Sequence, residues 1–348
     1  MNYIGIDCHI TSLEFAVVNE TGRVVETGSV ATSAGNLIEY LKGIRSPKVA
    51  YIEESSLADW ILETCNAYGE KLVITNSKEN RWIGASESKN DKLDAKKLAR
   101  LARGGYIKEV YHPVGERRRF KELMLGYDDA VRSCTRVKNK TKSKFRSNGI
   151  QCRGETIYKK AHREEWRAKL PNDPSLLLIV DRLWCQMDLL EETKRRLLAT
   201  GAKESKKYPE IKRFLKIPGV GFITAATFSA IVENPWRFND KSKLWAYAGF
   251  GIAKRTSGGK VYLEGLNRDY NRTLKYIIKS AIERMVQAKD NPFRRKYLDM
   301  TLLYGVSEKR AKLILGRSLL AMMLAMWKKG EEYSPELAGR KTTRKARM

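Results

Sequence analysis

Residues 2–75 alternate apolar and amphipathic segments in an order that few folds accommodate. Residues 2–7 form a short apolar strand pattern and residues 13–18 a second. Asn19-Glu20-Thr21-Gly22 reads as a turn into a third strand at 23–30. An amphipathic helix at 34–44 follows, then a strand at 48–53, a helix at 57–67 and a strand at 71–75. Three consecutive strands followed by alternating helices and strands predict a mixed sheet, not a doubly wound parallel one. Residues 91–102 read as a helix with Leu93, Leu98, Ala99 and Leu101 on one broad face.

Beyond residue 113 the pattern turns mainly helical. Residues 116–147 form one long basic helix. Residues 175–199 space Leu176, Ile179, Leu183, Cys185, Met187, Leu190 and Leu197 near a heptad, which predicts a coiled-coil or helical-hairpin arm. The expected organisation is an α/β domain over 1–112, with its last helices running to about 150. A basic helical arm over 113–205 and a mainly helical domain over 206–332 come next. A flexible basic tail over 333–348 ends the chain.

Charge separates these regions. The 348 residues carry 67 Lys+Arg against 40 Asp+Glu, a net of +27 that points to a polyanionic partner, most often nucleic acid. Residues 1–63 hold four basic and nine acidic side chains, whereas residues 132–170 hold thirteen basic and three acidic ones. An acidic unit kept in a nucleic-acid binder often marks a metal site, where carboxylates are required. In the long helix Lys138, Lys140, Lys142, Lys144 and Arg146 are expected to track a phosphate backbone; a solvated charged face is the plainer alternative. No apolar run reaches the roughly 18 residues of a membrane span. The first residues lack a signal-type core, so a cytoplasmic, nucleoid-associated protein is expected. Five scattered cysteines without C-x-x-C, and three histidines, argue against zinc fingers, disulfide frameworks and histidine triads.

Four carboxylates stand out by order. Asp7 ends the first strand and Glu53 the fourth; Asp91 and Asp94, three apart, open a helix and share a face. Strand ends at one sheet edge and a helix beside them can gather all four, and four such carboxylates stay ionised together only with cations between them. Two Mg²⁺ ions, with Mn²⁺ as a substitute, would suit phosphodiester displacement. Taken singly, Asp91 is equally a helix cap and Glu53 or Glu54 a solvated surface group. Glu53 is preferred to Glu54 because it directly follows the apolar strand. The strings Ile4-Gly5-Ile6-Asp7, Tyr51-Ile52-Glu53-Glu54 and Asp91-Lys92-Leu93-Asp94-Ala95 resemble the ribonuclease H-like fold in its Holliday-junction-resolvase (RuvC) branch.

Two motifs lie in the C-terminal region. Ile217-Pro218-Gly219-Val220-Gly221 precedes an Ala-rich helix at 222–232 and is similar to a helix-hairpin-helix turn, in which Gly219 and Gly221 would let backbone N–H groups approach a phosphate. Ser257-Gly258-Gly259 forms an open turn flanked by Arg255 and Lys260, with Arg268 and Arg272 following. A serine hydroxyl attacks phosphate only when positioned and surrounded by such cations, though by itself the string is an ordinary turn.

Together with Ala246-Tyr247-Ala248-Gly249 and Lys89-Asn90 before Asp91, these strings resemble the one-hundred-and-ten family of bacterial insertion-sequence transposases, the DEDD transposases that include the Piv/MooV invertases. The resemblance covers roughly residues 1–330. It implies a RuvC-like domain with Asp7, Glu53, Asp91 and Asp94 as Mg²⁺ ligands, and Ser257 as a nucleophile that forms a transient phosphoserine bond to DNA. It further implies a structured non-coding bridge RNA as guide, and a tetramer, a dimer of dimers, with composite sites. Two departures stand in this chain: Glu53-Glu54-Ser55-Ser56 replaces the family's Glu-Ala-Thr-Gly, and Tyr270 in Arg268-Asp269-Tyr270-Asn271 replaces a glycine. The alternatives are a metal-only RuvC-like nuclease or junction resolvase, an actin-like ATPase and a non-catalytic RNA-binding protein.

Overall fold

The computed structural model of the chain describes residues 1–76, 91–257 and 260–335; the side chains of residues 91–92 and 254–264 lie outside that description. The chain divides into two compact units, Met1–Arg118 and Arg119–Met348.

The first unit is built on a five-stranded mixed sheet. Strands β1 (Asn2–Cys8), β2 (Ser12–Val18) and β3 (Val24–Ala31) form an antiparallel meander. β4 (Lys48–Glu53) pairs parallel to β1, and β5 (Leu72–Thr75) parallel to β4, giving the order β3-β2-β1-β4-β5. This is the mixed α/β sheet expected, and it is compatible with a ribonuclease H-like domain. Alternation of side chains divides each strand between two faces. Ile4, Ile6 and Ile52 are fully buried in one core with Ile61 and Cys65 of α2 (Ala58–Ala67) and Leu37 and Leu41 of α1 (Ala34–Gly43). α1 begins where it does because Ser33 caps it, accepting from the Asn36 N–H at 3.1 Å.

The opposite face is covered by α3 (Asp91–Arg103), whose Ala95, Leu98, Ala99 and Ala102 are buried. Contact is close because β1 presents Gly5 there. A Cβ on Gly5 would run into the Ala95 carbonyl oxygen and lie 2.8 Å from the Ala99 backbone nitrogen. At its far end, Arg103 of α3 donates to the Glu20 carbonyl at 2.9 Å and lies against Gly22 in the β2–β3 turn. That turn follows Val18, the partner of Tyr3 near the start of β1. The helix therefore runs antiparallel to β1, and its first turn lies towards the Asp7 end.

The second unit has two apolar clusters. α4 (Gly115–Arg146, its first turn in the first unit) and α5 (Pro174–Glu204) share one around Phe145, Trp166, Val180 and Trp184. Trp184 donates from its indole to the Ile157 carbonyl at 2.9 Å, and Arg163 grips Asp188 with two hydrogen bonds of 2.8 and 2.6 Å. The buried seam of α5 runs Leu177, Val180, Trp184, Met187. Ile179 and Cys185, expected on the seam, are exposed, because tryptophan at 184 sets the helix rotation that fills the core. The other cluster gathers α6 (Phe222–Val232), α7 (Arg272–Gln287) and α8 (Glu308–Lys329). One element departs from the mainly helical expectation: β6 (Ile252–Ser257) and β7 (Lys260–Leu266) form an antiparallel hairpin. Residues 336–348, most of the expected flexible tail, lie outside the described residues. No described helix is long and apolar enough to cross a membrane.

Gly5→Ala is expected to lower stability by about 1–3 kcal/mol through overpacking against the α3 backbone. Gly35→Ala in α1, whose added methyl meets nothing within 4 Å, is expected to be neutral or stabilising. Thermal unfolding of the two variants checks the contrast.

Candidate functional site

Asp7 and Glu53 lie on the face that α3 covers. In the parallel register Gly5 stands beside Tyr51 and Ile6 beside Ile52, so the next pair along the strands is Asp7 and Glu53, on the Gly5 side of the sheet. Asp91 opens α3 one turn before Ala95, and Asp94 lies in the same first turn, at the Asp7 end of β1. Asp94 is half-exposed and accepts from Lys97 Nζ at 3.2 Å. The Asp91 side chain lies outside the described residues.

Glu53 and Glu54 are divided between the two faces. Glu54 Oε1 is 3.8 Å from His112 Nε2, and His112 Nδ1 is 2.6 Å from Asp59 on α2. Arg118 joins the same group, 2.7 Å from Glu63 and 3.5 Å from Asp59. This network pins the segment that follows α3 onto α2. The segment also extends the sheet edge, with Val110 donating to the Ile74 carbonyl at 2.8 Å.

Two further side chains belong to the carboxylate face, and the sequence pattern did not single them out. Glu14 on β2 lies directly opposite Asp7 in register, hence on the same face. Its Oε1 accepts from Ser29 Oγ at 2.5 Å, while its Oε2 is buried with no hydrogen-bond partner among the described residues. His9, just past β1, places Nε2 3.1 Å from Asp7 Oδ2. The signals were alternation across a hairpin for Glu14 and the Asp-x-His string for His9. Among the described residues no group of three or more His, Cys, Asp or Glu is drawn together tightly enough to hold a metal ion, and the Asp91 side chain is outside that set. Glu14 thus adds a buried carboxylate oxygen to the face that bears Asp7 and Glu53.

Burial, and Asp7 beside it, push the Cys8 thiol up to about 12; burial does the same to Cys65.

In the second unit the hairpin carries Ser257 at the end of β6, paired in register with Lys260. The side chains of Arg255, Ser257 and Lys260 lie outside the described residues. Arg268 and Arg272 are exposed beyond the hairpin, where Asn271 caps α7 by accepting from the Leu274 N–H at 2.8 Å. Tyr270 finds its place because Gly249, at φ +71, has no side chain: a Cβ there would lie 2.7 Å from the Tyr270 ring. Lys275 Nζ stands 4.0 Å from the centre of the same ring. Gly219, at φ +79, is packed against Met285, and its carbonyl accepts from Arg284 Nε at 3.1 Å. Gly221 caps α6 and faces open space. Of the basic residues on α4, Lys140 and Arg146 are exposed. Lys138 is paired with Glu191 at 2.8 Å, and Lys142 donates to the Gly154 carbonyl at 2.8 Å. Both ammonium groups also lie over the Tyr158 ring. Lys144 is partly buried.

Two transposase family models match the chain, one over residues 4–147 and the other, described as transposase IS116/IS110/IS902 family, over residues 211–298. Together they span about two thirds of it. The chain belongs to the IS116/IS110/IS902 family of transposases. It is 22% identical over 308 residues to the transposase for insertion sequence element IS1111A of Coxiella burnetii, covering 85% of this chain and 80% of that protein. It is also 26% identical over 174 residues to the insertion element IS110 uncharacterized 43.6 kDa protein of Streptomyces coelicolor. That match covers 50% of this chain and 42% of the relative's length.

Two outcomes follow for this transposase. A thiol reagent is expected to label the exposed Cys185 quickly in the native protein and the buried Cys65, Cys134 and Cys152 only on unfolding, measured by mass spectrometry with and without denaturant. Hydrogen bonds from Lys138, then Lys194, hold Glu191 down to about 2 in the folded state. A depressed carboxylate contributes stability above its unfolded value that is lost as pH falls through about 4.5 towards 2. Glu191→Gln is therefore expected to lower the urea midpoint at pH 7 and to leave it unchanged near pH 2.

Proposed function

We propose that this transposase cuts and rejoins DNA through Ser257, assisted by divalent metal held by Asp7, Glu53, Asp91 and Asp94. The observation that supports it most is the docking of α3 on Gly5, which brings the helix of Asp91 and Asp94 to the strand end bearing Asp7, beside Glu53. Mg²⁺, or Mn²⁺ in its place, would supply activation of the attacking oxygen and neutralisation of the leaving one. In the protein's own part of the reaction, Ser257 Oγ loses its proton and forms a bond to phosphorus. The bond from phosphorus to the 3′ oxygen breaks, and that oxygen leaves as a hydroxyl. Arg255, Lys260, Arg268 and Arg272 balance the charge that builds on the phosphate. The serine ester keeps the energy of the phosphodiester, so the reverse attack by a new 3′ hydroxyl rejoins DNA without ATP.

Guidance by a structured RNA and assembly as a dimer of dimers complete the proposal. A net charge of +27 suits a protein that holds RNA and two DNAs. Leu178 and Leu189 leave apolar surface on α5 outside its own core, as a coiled-coil arm meeting a second copy would require.

The test is expression from the natural locus with its flanking DNA, reading excision junctions by amplification and protein–DNA adducts in detergent. Wild-type protein is expected to give both, Ser257→Ala neither, and Asp94→Asn less than about 1% of the junctions. Junctions formed by Ser257→Ala would instead overturn the serine mechanism. RNA that co-purifies with the protein, and whose removal abolishes junctions, is expected for the guide.

A further inference from the structure

At the root of the β6–β7 hairpin lies a cavity of about 390 Å³. Its floor is apolar, from Phe250, Ile282 and Leu313, with Leu266 of β7 at the rim. Its walls are cationic: Lys275 and Lys279 come from successive turns of α7, and Lys309 and Lys312 from α8. One carboxylate, Glu283, lines it, and this is neutralised by Lys312 at 2.8 Å. No carboxylate among the described residues is paired with Lys279 or Lys309. The volume falls in the range of small-ligand pockets. An apolar floor ringed by ammonium groups is matched by a flat aromatic base carrying a phosphate.

We infer that this cavity takes one unpaired nucleotide of a polynucleotide, its base against Phe250, Ile282 and Leu313 and its phosphate on Lys279 and Lys309. The choice of a polynucleotide over a free nucleotide rests on the strand-transfer reading above. A base must leave its stack to enter, so a single strand or a flipped-out residue is favoured over an intact duplex. β6 spans five residue steps from Ile252, paired with Leu266 at the cavity, to Ser257. At about 3.4 Å per step the hairpin separates the two ends by roughly 17 Å. The nucleotide would thus be held a few positions from the phosphate that Ser257 attacks.

The full-length protein is tested by fluorescence anisotropy with a 12-mer of thymidine, the same 12-mer with an internal abasic stretch, a 12-mer of uridine and a duplex. Wild-type protein is expected to bind the 12-mers with bases roughly tenfold more tightly than the abasic strand. Leu313→Trp fills the cavity at constant charge and is expected to erase that preference while keeping the salt dependence. Lys279→Gln with Lys309→Gln is expected to weaken binding of every strand and to flatten its salt dependence. Thermal melting confirms folding, and if Leu313→Trp does not fold, Leu266→Trp at the rim replaces it. Thymidine against uridine tells DNA from RNA as the source of the nucleotide. Equal affinity for abasic and normal strands in wild-type protein, or an undiminished preference in the filled variants, overturns the inference. These affinities are read without strand transfer, so a failure of the serine chemistry is seen separately, in the junction and adduct assay, from a failure of this site.

Discussion

The first unit depends on one backbone contact. A helix sits against a strand this closely only where the strand has no side chain, and Gly5 provides that place two residues before Asp7. The small residues facing it, Ala95 and Ala99, extend the same logic to the helix. Arg103, bound to the Glu20 carbonyl, fixes which way the helix runs. From these facts the first turn, with Asp91 and Asp94, comes to the Asp7 end of the sheet. A larger residue at 5 would lift the helix and spread the carboxylates apart.

The same device recurs in the second unit with a different outcome. Gly249 gives up its side chain to Tyr270, and Tyr270 in turn lies beneath Lys275. Gly316 admits the ring of Phe250, whose carbonyl accepts from Arg317 at 2.7 Å. These close approaches tie the root of the β6–β7 hairpin to α7 and α8. The Tyr270 ring is thereby accommodated by the missing side chain of Gly249.

Much of this was legible in the sequence, and the exceptions have physical causes. The strands and helices of residues 2–103 followed from apolar periodicity, since a half-buried sheet and its helices write period 2 and period 3.6 directly. The pairing of Asp7 with Glu53 needed only the order of strands. Glu14 was not legible, because it becomes a neighbour of Asp7 only through a hairpin register. The hairpin at Ser257 interrupts a region whose pattern predicts helix, although Gly258-Gly259 between two β-rich runs is a hairpin signal. On α4 the run of lysines looked uniform from sequence. Folding divides it, since Lys138 meets Glu191 from α5 while Lys140 stays exposed.

The Gly5 face, and not its opposite, is the proposed metal-binding face. Mn²⁺ binding to the full-length protein, followed by electron paramagnetic resonance, tests it through two neighbouring carboxylates. Glu53→Gln is expected to weaken Mn²⁺ binding by at least tenfold, while Glu54→Gln, whose carboxylate lies by His112 on the other face, binds as the wild type does. Loss of binding in Glu54→Gln with retention in Glu53→Gln, or no Mn²⁺ bound by the wild type, would contradict the account.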